Sequence, residues 1–304
     1  MANITLLFVC LALGLLLRQF KDFPPETPKV LNQFLIYVSL PAIALIHIPR
    51  IQLTSELLFP VFTSWLVLGF ALLLLPIAGR ALGWSRPTIG CLLLTAGLGN
   101  TSFVGFPVIE ALYSREALQI ALMVDQPGSF VAVSSVGVII ACIYSSAELR
   151  KRDITRKVLM FPPFLTFLLA LGLNLTGVQP SGISLEVLEA LAATLTPLAL
   201  TSIGMQLTLK LEGQPLAPLV FGLGYKLLLA PLLLLAIYVF LLGGSGEVVK
   251  ISLMEAAMAP MITGSILAIT YGLNPRLAAL MVGIGVPLSF ATLALWYVLL
   301  ERLL

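Results

Sequence analysis

Asn100-Thr101-Ser102-Phe103-Val104-Gly105-Phe106-Pro107 and Ala257-Met258-Ala259-Pro260-Met261-Ile262-Thr263-Gly264-Ser265 interrupt two long apolar stretches with the same chemistry. Proline removes a backbone donor and clashes with the preceding turn, and glycine tolerates unwound backbone. Each stretch is therefore expected to be a broken membrane helix with amide and carbonyl groups left open at the break. Such groups are tolerated at membrane depth only where they are buried in protein or line a cavity. Breaks at corresponding places in two halves of a chain point to the substrate site of a secondary transporter.

The surrounding composition fits a bilayer. The chain has 304 residues, 59% hydrophobic and 10% charged, with a mean hydropathy of +1.07. That balance excludes a soluble globular protein, and nothing in it suggests nucleic-acid binding. Runs of about 20 apolar residues span the hydrocarbon core. Ten can be placed, giving an all-α membrane protein: Ala2 to Phe20, Lys29 to Ile48, Glu56 to Gly79, Pro87 to Tyr113, Glu116 to Ser146, Thr155 to Gly177, Leu185 to Leu209, Pro215 to Leu242, Glu247 to Tyr271 and Pro275 to Leu303. The first run has no basic residue before its apolar stretch and reads as a retained helix rather than a signal peptide.

The turns after the first, third and fifth runs hold Arg18, Lys21 and Lys29, then Arg80 and Arg86, then Arg150, Lys151, Arg152, Arg156 and Lys157. By the positive-inside rule these turns face the cytoplasm and both termini lie on the opposite side, in the cell membrane. Cys10, Cys91 and Cys142 fall in apolar runs with no metal-ligand or disulfide spacing. The single histidine, His47, stands beside Pro49 and Arg50 at a helix end, where a structural interfacial role competes with a proton relay.

A weak internal repeat organises these runs. Leu11-Ala12-Leu13-Gly14-Leu15 recurs as Leu169-Ala170-Leu171-Gly172-Leu173, and the same shift lays Tyr113 on Tyr271 and Pro107 on Ser265. Two sets of five helices, 1–146 and 155–304 joined by a basic loop at 147–154, force the second half to enter the membrane inverted. The broken fourth and ninth helices then cross near the midplane. Helix N-termini there present free donors and a partial positive charge, suited to a carboxylate.

These residues also carry a family resemblance that covers essentially the whole chain. The run from Asn100 to Gly105-Phe106-Pro107 resembles the fourth-helix pattern of the auxin efflux carrier family, and Ala256-Ala257-Met258-Ala259-Pro260 resembles its ninth-helix counterpart. Leu40-Pro41-Ala42, Pro197-Leu198-Ala199-Leu200 with Gly204, and Val286-Pro287-Leu288-Ser289 add to it. The resemblance implies a ten-helix inverted-repeat fold shared with bile acid sodium symporters. It further implies an elevator-like motion of helices three to five and eight to ten against one, two, six and seven, small organic anions as cargo, and a homodimer. The chain departs from the plant carriers in lacking their long central loop, which puts loop phosphorylation and auxin itself in doubt.

Candidate substrate-binding residues are Asn100, whose amide both donates and accepts, with Thr101, Ser102, Thr263, Gly264 and Ser265 at the crossing. Thr201 and Gln206, with Ser202, are expected to complete the cavity from the seventh helix, although small hydroxyls also serve close helix packing. Gly105, Pro107, Pro260 and Gly264 shape the breaks. Asp125 and Glu255 are candidates for ion coupling, because a charge within a membrane segment is costly and rarely idle. Asp125 meeting water and Glu255 sitting at an interface are the competing readings, and no role falls to Glu110 or Lys226. No cofactor is expected; protons and sodium are the alternative coupling ions. An intramembrane enzyme is disfavoured, since Asp125 is the one aspartate within an expected span and neither a His-Glu-X-X-His pattern nor a Gly-X-Ser-X-Gly elbow occurs. A ligand sensor that moves nothing is the third reading.

Overall fold

The computed structural model describes residues 2–145, 162–207 and 216–304, with side chains from residue 5. The basic loop at 147–154 lies outside them. Among the described residues the chain is entirely helical, with one isolated antiparallel bridge between Gly99 and Pro260. Six helices are long and apolar enough to cross a membrane: α2 (Thr27–Arg50), α3 (Ser55–Ala81), α6 (Leu118–Tyr144), α8 (Ile183–Gln206), α9 (Leu216–Leu241) and α12 (Pro275–Leu303). The shorter helices are α1 (Ala2–Leu17), α4 (Arg86–Thr95), α5 (Thr101–Leu112), α7 (Pro162–Thr176), α10 (Gly246–Ala256) and α11 (Ile262–Thr270).

Helix starts follow local chemistry. Ser85 accepts from the Thr88 amide at the head of α4, and Pro87 supplies a preset φ just inside. Asn274, at φ 48°, accepts from the Leu277 amide ahead of Pro275 at the head of α12. Its amide also donates to Thr88 Oγ1 at 3.1 Å, which ties the two heads together.

Prolines lie in or just beyond four of the six widened turns among the described residues. Five-residue π turns at Leu35–Ser39, Thr101–Gly105 and Tyr225–Leu229 each end two residues before a proline, at Pro41, Pro107 and Pro231. A further π turn, Asp125–Phe130, contains Pro127. Proline cannot bond the carbonyl four residues earlier and collides with it, so a widened turn relieves the clash. Trp296 takes the donor position that Pro231 leaves empty, its indole N–H reaching the Leu227 carbonyl at 2.9 Å. Pro76 and Pro287, by contrast, lie inside α3 and α12 without ending them.

The chain separates into two compact units. The first comprises Met1–Ser55, Ser102–Leu122 and Leu159–Leu207; the second comprises Glu56–Thr101, Met123–Val158 and Thr208–Leu304. In the first unit α1 and α8 meet backbone to backbone at Gly14 and Gly204, where an added Cβ would fall 2.1 Å from the Thr201 carbonyl oxygen and 2.3 Å from that of Leu11 respectively. Asn174 of α7 holds the end of α2 by donating to the carbonyls of Ile48 (3.0 Å) and Ile51 (2.7 Å). Arg18 donates to the Leu207 carbonyl. In the second unit Tyr225 and Tyr238 are nearly fully buried, and their hydroxyls reach the α3 carbonyls of Val67 (2.5 Å) and Phe59 (2.7 Å).

Candidate functional site

The second unit contains a buried polar cluster built around two stretches of non-helical backbone. Between α4 and α5 the chain runs through Gly97, Leu98, Gly99 and Asn100; between α10 and α11 it runs through Met258, Ala259, Pro260 and Met261. The two stretches pair antiparallel. The Asn100 amide donates to the Ala259 carbonyl at 2.9 Å, and the Met261 amide donates to the Thr95 carbonyl at 3.2 Å. Each stretch thus satisfies some of the backbone groups that the other leaves open, as buried backbone requires. Helices α5 and α11 begin immediately after the paired stretches, and Met261 provides no side-chain cap to α11.

The close approach depends on residues without side-chain bulk. A Cβ on Gly264 would stand 2.0 Å from the Leu94 carbonyl oxygen, and one on Gly285 would stand 2.7 Å from the Pro260 ring. Gly264 therefore packs α11 directly onto the last turn of α4.

Around this pairing lie five ionisable or amide side chains, each under 5% exposed: Asn100, Asp125, Gln126, Lys226 and Glu255. Asp125 opens the π turn of α6. Its Oδ1 accepts from Thr101 Oγ1 at 2.5 Å and its Oδ2 from the Gln126 amide at 2.6 Å. Thr101 Oγ1 also lies 3.0 Å from Ser129 Oγ, which pairs with Ser64 Oγ of α3 at 2.7 Å. Glu255, in the last turn of α10, has neither carboxyl oxygen hydrogen-bonded to any described residue, and it lies within electrostatic reach of both Asp125 and Lys226. The Lys226 ammonium donates to the Ala256 carbonyl at 2.7 Å. Two acids, one lysine and several hydroxyls and amides thus form a buried polar cluster.

About half of the residues singled out from sequence fall in or beside this cluster, and the others do not. Asn100, Thr101, Asp125, Glu255 and Pro260 come together. Ser265 is buried beside them, but its hydroxyl is engaged with the Ala278 carbonyl at 2.9 Å. Thr263 is exposed. Glu255 is 1% exposed and Asp125 3%, so both carboxyl groups are buried within the protein. Ser102, Gly105 and Pro107 belong to the first unit, whose boundary falls after Thr101. Thr201, Ser202 and Gln206 also belong to the first unit, where Ser202 Oγ donates to Asn32 Oδ1 at 2.7 Å and Gln206 turns back onto Ser202 at 3.1 Å.

Lys226, Gln126, Ser64 and Ser129 were not identified from sequence. For Lys226 the signal was available: it lies about 15 Å along α9 from the nearer helix end, too deep for a lysine to reach an interface.

The first unit holds a separate cavity of about 290 Å3 lined by His47, Arg50, Glu110, Arg115, Glu116 and Glu189 among others. His47 is 9% exposed there. Glu110 of α5 joins Arg115 in the following loop at 3.1 Å and accepts from Thr196 Oγ1 of α8 at 3.1 Å, so the loop and one other helix fix its position. Its charges are of mixed sign, and no metal-ligand group of three or more occurs among the described residues.

Comparison with known proteins places this geometry in context. The profile of the membrane transport protein family matches residues 1–297. An uncharacterized transporter of Methanothermobacter thermautotrophicus is 26% identical over 294 residues, covering 96% of this chain and 95% of that protein. An uncharacterized transporter of Methanocaldococcus jannaschii is 24% identical over 301 residues, covering 96% of each. These relatives are transporters rather than enzymes. With its several apolar helices and a match over nearly its full length, the chain is an integral, multi-pass membrane protein and belongs to the auxin efflux carrier-like family of membrane transport proteins.

Proposed function

We propose that this transporter moves small organic anions, carboxylates first among them, by alternating access across the cell membrane. The observation that carries the reading is the antiparallel pairing of 97–100 with 258–261, with two helices opening directly beyond it. Helix N-termini present unpaired amides and a partial positive charge to an anion. The Asn100 amide adds a group that matches a carboxylate at the same place.

In this reading ten spans form two inverted sets of five, and the paired stretches are the crossing of the broken fourth and ninth. Helices α3, α6, α9 and α12 with the two broken segments form the moving part, and α1, α2, α7 and α8 the scaffold. The division of the chain into units supports that partition, except that 102–122 groups with the first unit. Asp125 and Glu255 carry the proton that couples transport, both termini face outward, and the protein works as a homodimer among membrane lipids.

Reconstituted liposomes test the reading. Uptake of labelled mono- and dicarboxylates is measured with pH and sodium gradients imposed separately. Anion accumulation driven by pH supports proton coupling, accumulation driven by sodium replaces the proton with sodium, and indifference to both makes the protein a uniporter. Binding without flux in sealed vesicles would make it a sensor and refute the proposal. Asn100→Ala is expected to weaken carboxylate binding at least tenfold, about 1.4 kcal/mol, in folded protein.

A further inference from the structure

The carbonyl end of α10 gathers buried acceptors. In an α-helix the Ala256 carbonyl would bond the amide of residue 260, but residue 260 is proline and has none. The partial negative charge of the helix C-terminus adds to that vacancy. Glu255, in the same turn, brings a carboxylate that is 1% exposed and has no hydrogen-bond partner among the described residues. Into this acceptor-rich place comes the Lys226 ammonium from the π turn of α9, 2.7 Å from the Ala256 oxygen. Gly99 makes room for it: a Cβ there would stand 3.0 Å from Nζ. Orphaned carbonyl oxygen, buried carboxylate and close backbone are the donor set that hard monovalent cations take.

We propose that Lys226 is a tethered monovalent cation, filling at the broken end of α10 a site that would otherwise hold a free alkali ion. The inference rests on the carrier reading for its consequence, which is that the transport cycle needs no sodium. Its structural content stands independently of any flux. Removal of the side chain beyond Cβ should open a site for a small cation, with sodium or a short alkylammonium ion replacing the lost charge.

The test reads melting temperature rather than transport, so that failure of the cation site and failure of the carrier reading are separable. Full-length purified protein, wild type and Lys226→Ala, is melted in choline chloride and then with increasing sodium, methylammonium or ethylammonium chloride. The expected result is a lowered melting temperature for Lys226→Ala that recovers saturably with at least one of these ions, by on the order of 3 to 5 °C, while the wild type is indifferent to all three. A variant that no cation rescues overturns the proposal. So does a wild type stabilised saturably by sodium, a result obtained even if Lys226→Ala does not fold. A second arm uses Glu255→Gln, Lys226→Met and the double variant. Losses in the double smaller than the sum of the singles support neutralisation of Glu255 by Lys226, and strict additivity refutes it.

Discussion

Gly264→Ala tests the closest contact in the second unit. The new methyl would stand 2.0 Å from the Leu94 carbonyl oxygen and 2.9 Å from its carbon, against a comfortable carbon-to-oxygen approach of about 3.3 Å. Relief requires roughly 1 Å of movement between two backbones, because no flexible side chain is available to yield. Overpacking costs of this kind run from about 1 to 3 kcal/mol, and an obstacle made of backbone belongs at the upper end. For a chain of this size that is a fall in melting temperature on the order of 3 to 5 °C. The assay is thermal unfolding of the detergent-extracted protein, with Gly172→Ala and Gly224→Ala as matched controls. Both control glycines are helical, and an added Cβ at either meets nothing within 4 Å. The controls are expected to melt at or above the wild type, since alanine is the better helix former. A Gly264→Ala protein as stable as its controls would refute the direct packing of α11 on α4, and with it the pairing of the two non-helical stretches.

Other perturbations probe single contacts. Trp296→Phe removes the donor that replaces the missing amide of Pro231, and leaving the Leu227 carbonyl buried without it should cost about 1 to 3 kcal/mol, read as a lower melting temperature. Asn174→Ala releases the Ile48 and Ile51 carbonyls at the end of α2 and is expected to destabilise by a similar amount, with Asn174→Asp no better because a carboxylate cannot donate. If Asp125 carries the coupling proton, Asp125→Asn should flatten the pH profile of transport while retaining carboxylate binding. An unaltered profile would assign Asp125 to structure through its bonds with Thr101 and Gln126.

The helices were legible because bilayer chemistry writes them in runs of apolar residues. Among the described residues six helices are long and apolar enough to cross a membrane, and shorter helices lie in the other expected stretches. The interruptions near Asn100 and Pro260 were legible for a stronger reason: Pro260 deletes an amide and Gly264 admits a neighbouring backbone, and both effects are local. The π turns were less so. Pro41, Pro107 and Pro231 each follow a widened turn, whereas Pro76 and Pro287 sit within unbroken helices, so proline alone does not say how its clash is relieved.

The site was legible where one residue sufficed and obscure where its role depends on a partner far along the chain. Asp125 and Glu255 announce themselves by the cost of burying charge. Lys226 bears the same cost, but the snorkelling available to lysine offered an easy alternative until its depth along α9 is counted. What the sequence does not display is that the carbonyl emptied by Pro260 lies opposite a lysine 30 residues away. Once that pairing is known, three separate oddities become one device. The proline creates an unmet acceptor, the unpartnered Glu255 adds a second, and the lysine supplies the charge that both require. Removing the lysine would leave both acceptors without a donor in the interior, which is the most destabilising way to break a buried ionic arrangement, whereas replacing Pro260 would restore the amide that the Ala256 carbonyl lacks.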